Sequence, residues 1–377
     1  MPEILVFIDW FYPGFKAGGP IRSCLNLVMH LQHDYQFYIV TRNTDYCDVE
    51  PYRGIKANAW QAGPGTSKVM YLDEAHQNAA TFSALITERK WDAVYLNSFF
   101  SPSFTLLPLR LLKKNYSGKV IVAPRGMLAP DALALKRNKK LAFLYFSRLA
   151  GWYKNVLFQA TSEHEKAHVQ QWYPSNVVHY APALPPYHEN KEPILKTKEK
   201  GVLNILTVAR VAPEKNVLEA CRLVGLMGGV VNFTLVGPVY DEVYWAQCKA
   251  ITATYGNHIY FDYRGAMSNE DIIALMQSQH VTLLPTLGEN FGHTILESFL
   301  NAMPVVISDR TPWKNLEKNQ GGYALPLQEP QKFIDALTSY QMMDAAEFLQ
   351  ASHGAFAFAL RYLKSSEAIA LNKALFV

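Results

Sequence analysis

Short apolar runs alternate with segments of helical period along most of this chain. Residues 4–8, 37–40, 91–96, 120–123 and 158–162 are each too short for a helix and run into polar or turn-forming residues, which predicts buried strands. The stretches 21–31, 104–112, 136–154 and 163–172 repeat apolar residues at helical spacing; the first carries Leu25, Leu27, Val28 and Leu31. Residues 42–66 are polar and turn-rich, and no element is predicted there. Near residues 185–201 the composition shifts to Pro185, Pro186 and Pro193 interspersed with Lys191, Lys196, Lys198 and Lys200, the mark of a domain boundary. The alternation then restarts. Strands are predicted at 203–208, 232–236, 259–262, 281–284 and 305–307, a short strand or loop at 323–326, and helices at 331–337 and 345–363. Strand–helix alternation predicts an α/β fold with parallel sheets, and a chain of 377 residues suits two such domains rather than one.

One stretch concentrates chemistry on this pattern: PTLGENFGHTILESFLNAMPVVISD, residues 285–309. It follows an apolar run, crosses a glycine-containing loop, enters a helical repeat through Ile295, Leu296, Phe299 and Leu300, and ends in the next apolar run. A helix start presents unpaired N–H groups and a positive dipole end, which suits an anion such as a diphosphate. Gly288 and Gly292 allow close backbone approach. Glu289 and Glu297 are acceptors when ionised and can hold the hydroxyl pairs of sugars. By spacing alone, the same two carboxylates could equally favour the helix start and face solvent.

Other loops at strand ends carry candidate groups. Residues 209–217, ARVAPEKNV, place Arg210 and Lys215 on a strand-to-helix loop with Pro213 near the helix start. Two cations there can neutralise a leaving diphosphate, or they can belong to a solvated turn. Gly237-Pro238 ends another predicted strand, and Ser268 with Asp271 gives a capping-box-like helix start beyond Tyr263, Arg264 and Gly265. Near the N-terminus, DWFYPGFKAGGP places Gly18 and Gly19 between strand and helix, with Trp10, Phe11, Tyr12 and Phe15 able to stack on a sugar or to pack the loop. Ligands of open α/β sheets meet the loops at the carboxyl ends of strands, so Asn97 and Arg125 are further candidates.

ENFGHTILE, with Phe291-Gly292 between its two glutamates, resembles the Glu-x7-Glu signature of the retaining glycosyltransferases of family 4, which have the GT-B fold. The resemblance implies two Rossmann-like domains facing a cleft: 1–190 for the acceptor, 200–355 for a nucleotide-sugar donor, and 356–377 as a C-terminal helix packing back on the first. It implies catalytic roles for Glu289, Arg210 and Lys215, with Glu289 on the transferred sugar and the two cations on the diphosphate. Glu297 would hold the ribose, and the backbone of Phe291, Gly292, His293, Thr294 and Ile295 would face sugar and diphosphate. Gly18 and Gly19 would approach the donor phosphates, while Gly237 and the turn at Tyr263, Arg264 and Gly265 would contact the rest of the donor. Many family members carry His-Gly where this chain has Arg125-Gly126. Arg125 could bind an acidic sugar or phosphate bidentately, or pair with a structural carboxylate. An epimerase or hydrolase on the same fold and a non-enzymatic sugar-binding protein are the alternatives. The family's usual setting is glycan or surface polysaccharide assembly, with a glycan or lipid-linked acceptor.

Charge and composition narrow this picture. With 36 Lys and Arg against 32 Asp and Glu, the net charge of +4 gives no footprint for nucleic acid. Cys24, Cys47, Cys221 and Cys248 have no metal or redox spacing, and no His and carboxylate cluster has ligand spacing. We therefore expect no cofactor and no metal beyond the nucleotide-sugar co-substrate. No apolar run reaches the roughly 18 residues of a membrane span, no leader pattern is visible, and a cytoplasmic location is expected. Residues 136–154 combine Lys136, Arg137, Lys139, Lys140, Arg148 and Lys154 with Phe143, Tyr145, Phe146 and Trp152. Such a segment can lie on the inner membrane face, or be a core helix with a solvated basic side.

Overall fold

In the computed structural model the chain is described except at residues 135, 188–191, 194 and 366. It divides into two compact units, Met1–Tyr187 with Glu367–Val377, and His188–Ser366. The composition shift at 185–201 spans the division, although Lys191 lies outside the described residues.

The first unit contains β1 (Glu3–Phe7), β2 (Gln36–Arg42), β3 (Trp60–Ala62), β4 (Lys68–Leu72), β5 (Ala93–Leu96), β6 (Lys119–Val122), β7 (Leu157–Ala160) and β8 (Val178–Tyr180). They form one sheet in the order β3-β4-β2-β1-β5-β6-β7-β8, parallel throughout except where β3 meets β4. A parallel sheet is covered on both faces, so its strands are apolar on both sides. β1 shows the alternation. Leu5 and Phe7 join the core with Phe82 and Leu109, whereas Ile4 and Val6 join Leu27, Val28 and Phe376 on the other face. Each such fully buried side chain contributes about 1.5–3 kcal/mol. The short helix Ala368–Lys373 belongs to this unit: Tyr35 donates to the Lys373 carbonyl at 3.0 Å, and Lys373 pairs with Asp34 at 2.8 Å.

The second unit contains β9 (Val202–Val208), β10 (Val230–Val236), β11 (Ile259–Tyr263), β12 (Val281–Leu284), β13 (Val305–Ser308) and β14 (Gly322–Leu325), in the parallel order β11-β10-β9-β12-β13-β14. In both sheets the first strand of the unit lies inside. The chain runs outward to one side, then returns to the other. Ligands of such sheets bind where the direction reverses, beyond the carboxyl ends of the strands. Those points lie between β1 and β5 and between β9 and β12.

Several predicted elements shift. The chain rejoins the first unit at Glu367, not at 356, because Ala345–Ser365 is one continuous helix whose Phe358 and Tyr362 pack on Phe299 and Trp313 of the second unit. The helix expected at 104–112 opens with a wide turn at Pro102–Leu106 before Leu107–Asn115, and the one expected at 136–154 covers only Arg137–Leu149. Within 42–66, where no element was predicted, the structure has β3.

Candidate active site

At the reversal point of the second sheet, two motifs from distant parts of the chain meet. Lys215 lies on a short turn, Pro213–Lys215, after β9; Asn216 then takes a left-handed conformation (φ 53°) and donates its side-chain amide to the Pro285 carbonyl at 2.8 Å. The Glu214 carbonyl accepts from the Leu287 amide at 3.1 Å and from the Thr286 hydroxyl at 3.2 Å. These bonds fix the β9 loop against the β12 loop. They set Lys215 Nζ at 2.6 Å from Glu289 Oε1, both side chains less than one fifth exposed. Charge-assisted bonds of this kind are short and well oriented.

Arg210 is held differently. Its guanidinium pairs with Glu214 at 3.2 Å, both partners 40% exposed, and lies 5.8 Å from the Tyr240 ring centroid. An exposed pair is worth only about 0–1 kcal/mol, so an incoming dianion can displace Glu214 at small cost.

The helix His293–Leu300 starts at Gly292 (φ 79°), with no side-chain cap. A left-handed start is strained for any L residue, which is why glycine stands there. It leaves the positive helix end open to an anion. The Phe291 carbonyl accepts from Trp313 Nε1 at 2.6 Å, and the Phe291 ring packs on both His293 and Trp313. Glu297 is 3% exposed inside this helix, so it does not sit on a solvated face. Thr294 and Ile295 occupy its first turn.

Gly237 ends β10 at φ 147°, and a Cβ there would stand 1.9 Å from the Ala209 carbonyl oxygen, so no other residue fits. Its amide donates to the Gly265 carbonyl at 2.7 Å, its carbonyl accepts from the Tyr263 hydroxyl at 2.9 Å, and Val211 bridges to Val239. The loops after β9, β10 and β11 are thereby joined. Arg264 is half exposed and turns to Asp262.

The candidates of the first unit gather at its own reversal point. Gly18 (φ 71°) precedes the helix Gly19–Leu31, whose Pro20 carbonyl accepts from Asn97 Nδ2 at 3.2 Å. Arg125 follows β6 in a left-handed conformation (φ 55°); its Nε donates to Asn97 Oδ1 and its Nη2 to the Tyr95 hydroxyl, each at 2.6 Å. A carboxylate partner for Arg125, one of the two readings of its sequence, is not what the fold provides. Asp9, after β1, accepts from Ser101 at 2.8 Å and lies 3.5 Å from Arg42; burial raises its pKa against the pull of both partners. Of the loop aromatics, Phe11 is fully buried and packs the loop, while Tyr12 is exposed.

Tyr95, Gln159, Asp9 and Trp313 were not singled out from sequence, and Asn216 entered only as the last residue of the Glu214-Lys215-Asn216 resemblance. Asn216 alone had a local signal, directly after Lys215. The others acquire their positions only through sheet pairing and packing. Among the described residues, no group of three or more His, Cys, Asp or Glu is placed to hold a metal ion, and no helix is long and apolar enough to cross a membrane.

Residues 189–344 match a family model described as glycosyl transferases group 1. No curated protein matches the chain by sequence. Among solved structures, HepE of Anabaena in complex with UDP and glucose superposes with a TM-score of 0.69 at 14% identity, over 100% of this chain and 98% of that one. Sucrose-phosphate synthase from Thermosynechococcus elongatus gives 0.63 at 14%, over 97% and 98%. An alpha,alpha-trehalose-phosphate synthase (UDP-forming) from Burkholderia vietnamiensis gives 0.63 at 12%, over 100% and 98%. The fold is GT-B, and its second unit carries the match to a group 1 glycosyl transferase domain at 189–344.

Proposed function

We propose that this chain is a retaining glycosyltransferase of the family 4 type, moving a sugar from a nucleotide-diphosphate donor to a hydroxyl acceptor in glycan or surface polysaccharide assembly. The Lys215–Glu289 bond carries the reading: it joins the two halves of the donor motif, 74 residues apart, at the reversal point of one sheet. In this reading Lys215 and Arg210 meet the diphosphate, Glu289 accepts from hydroxyls of the transferred sugar, and Glu297 accepts from the ribose. Gly237, the turn around Arg264 and the helix start from Phe291 to Ile295 line the donor. In the first unit, Gly18, Gly19, Asn97 and Arg125 are the proposed phosphate or sugar contacts.

The chemistry follows from charge. As the bond from the anomeric carbon to the diphosphate oxygen breaks, its electron pair goes to the phosphate. Fixed cations stabilise that charge more in the transition state than in the ground state. The acceptor hydroxyl attacks the same face, and its proton passes to the departing phosphate oxygen. Such a step asks for no side-chain base and draws its charge stabilisation from Lys215 and Arg210 rather than from a metal.

The helix Arg137–Leu149 supports a peripheral contact with the inner membrane face: Tyr145, Phe146 and Leu149 are exposed beside Arg148, and residues 132–162 contain no Asp or Glu. Lipid-linked acceptors would be presented at that surface.

The reaction is tested by incubating the protein with UDP-, GDP- and ADP-sugars and an acceptor panel, and reading the product's anomeric configuration by proton NMR. Retained configuration is expected. An inverted product overturns the mechanism, and sugar released without an acceptor points to a hydrolase.

A further inference from the structure

Arg125 is held unlike Arg42 and Arg89 of its unit, each of which meets a carboxylate. A non-glycine residue at φ 55° is strained and persists where its surroundings enforce it. Those surroundings form a chain of hydrogen bonds across the sheet. Arg125 Nη2 donates to the Tyr95 hydroxyl at 2.6 Å, which donates in turn to Gln159 Oε1 at 2.6 Å. Gln159 Nε2 donates to the Ala181 carbonyl at 3.0 Å and to Asn372 Oδ1 at 3.3 Å. Tyr95, Gln159 and Asn372 are all essentially buried, on β5, β7 and the last helix. On its other side Arg125 Nε donates to Asn97 Oδ1. A buried, fully used chain of this kind locks one orientation of the guanidinium.

Every fixed partner of that guanidinium is neutral. Asn97 and Tyr95 take two of its five N–H groups, and among the described residues no carboxylate pairs with it. The carboxylate of Glu165 directs Oε1 to the Gly126 amide and Oε2 to the Thr161 amide and hydroxyl. Other arginines of the first unit are paired: Arg89 with Glu3 and Glu88, and Arg42 with Asp9. Arg125 is thus a half-buried, permanently charged fork, oriented by neutral groups at the carboxyl edge of β5 and β6 with its remaining donors unspent.

We propose that Arg125 is a binding residue for an anionic group, a carboxylate or phosphate carried on a sugar, and that Tyr95 and Gln159 are its positioning residues. The proposal rests on the reading above only for the sugar; the anion follows from the fork alone.

The test reads melting temperature against ligand concentration for glucose, glucuronate and glucose 6-phosphate, with UDP, GDP and ADP as a separate arm. The wild-type protein is expected to bind one or both anionic sugars at least about tenfold more tightly than glucose, as charge-assisted hydrogen bonds imply. Preference for glucuronate assigns a carboxylate, and preference for glucose 6-phosphate assigns a phosphate. Arg125→Gln should erase the preference, and Arg125→Lys should keep part of it. Tyr95→Phe should weaken the anionic sugars several-fold and leave glucose unchanged, a separation that a merely structural role would not give. The proposal is overturned if wild-type protein does not discriminate, or if Arg125→Gln discriminates as wild type does. Loss of all nucleotide binding with anionic preference intact would contradict the transferase reading and leave this one standing.

Discussion

The two sheets place their loops at equivalent points and equip them in opposite ways. At the β9–β12 reversal a cation and a carboxylate meet directly, Lys215 on Glu289 at 2.6 Å. At the β1–β5 reversal the neighbouring cation, Arg125, is held by an amide and a phenol. An ion pair keeps two charges poised while no ligand is bound, and each can turn to its own part of a donor. A cation whose direct partners are neutral keeps donors for an anion from outside, although the buried Glu165 carboxylate lies close by, on the Gly126 amide. In the proposed function the same architecture would serve two recognition tasks, with the chemistry lying in which side chains close each reversal point.

That contrast breaks most readily at the charged pair. Lys215→Ala and Glu289→Ala are each expected to lower kcat/KM by about 10²–10³-fold, the usual effect of removing one transition-state contact, with circular dichroism unchanged. Near-normal turnover in either variant would remove the second unit's claim to the chemistry. A next, purely structural break is Gly237→Ala. Its Cβ would meet the Ala209 carbonyl oxygen at 1.9 Å with backbone on both sides, and we expect a loss of about 3 kcal/mol or more, seen as a lower denaturation midpoint. An unchanged midpoint would mean that the loops after β9 and β10 are not tied as described.

A comparable effect is expected from pH. His280 is buried beside β12, accepts from the Asn204 amide through Nδ1 at 2.9 Å, and meets the Thr197 carbonyl through Nε2 at 2.8 Å. Burial lowers its pKa to about 4. A depressed histidine binds its proton more readily when unfolded. Its contribution is therefore complete above the unfolded value of about 6.5 and is lost progressively as pH falls towards 4, by about 3 kcal/mol in all. Denaturation midpoints measured across that window should decline, and His280→Gln should flatten the decline. The smallest expected effect lies on the helix Arg137–Leu149. Replacing exposed Leu149 by Ser should shift stability by no more than about 0.5 kcal/mol yet weaken binding to vesicles containing anionic lipid. Equal vesicle binding would assign that helix to a solvated face.

How much of this was legible in the sequence follows the same division. β1, β9, β10, β12 and β13 are covered on both faces, so their continuous apolar runs stand out. β3 and β8 lie at the edges, are only three residues long and stay partly exposed; their pairing defines them, and no periodicity of length three could. The proposed donor motif was legible because Glu289, Gly292 and Glu297 lie close in one strand–loop–helix unit, and Arg210 and Lys215 in another. Their meeting was not, since it depends on Asn216 reaching Pro285. Arg125 could be named from its loop, but its setting could not. Tyr95 and Gln159 read as ordinary strand residues until β5 and β7 are placed on either side of β6.

The proposed function requires that Lys215 and Arg210 hold a nucleotide diphosphate. The direct measurement is calorimetric titration of UDP, GDP and ADP into wild-type protein and into the Lys215→Ala variant. One of the three is expected to bind wild-type protein, with affinity at least about tenfold weaker in the variant, the loss of one charge-assisted contact. Binding of equal strength in both proteins, or no binding of any of the three to wild-type protein, would contradict the account.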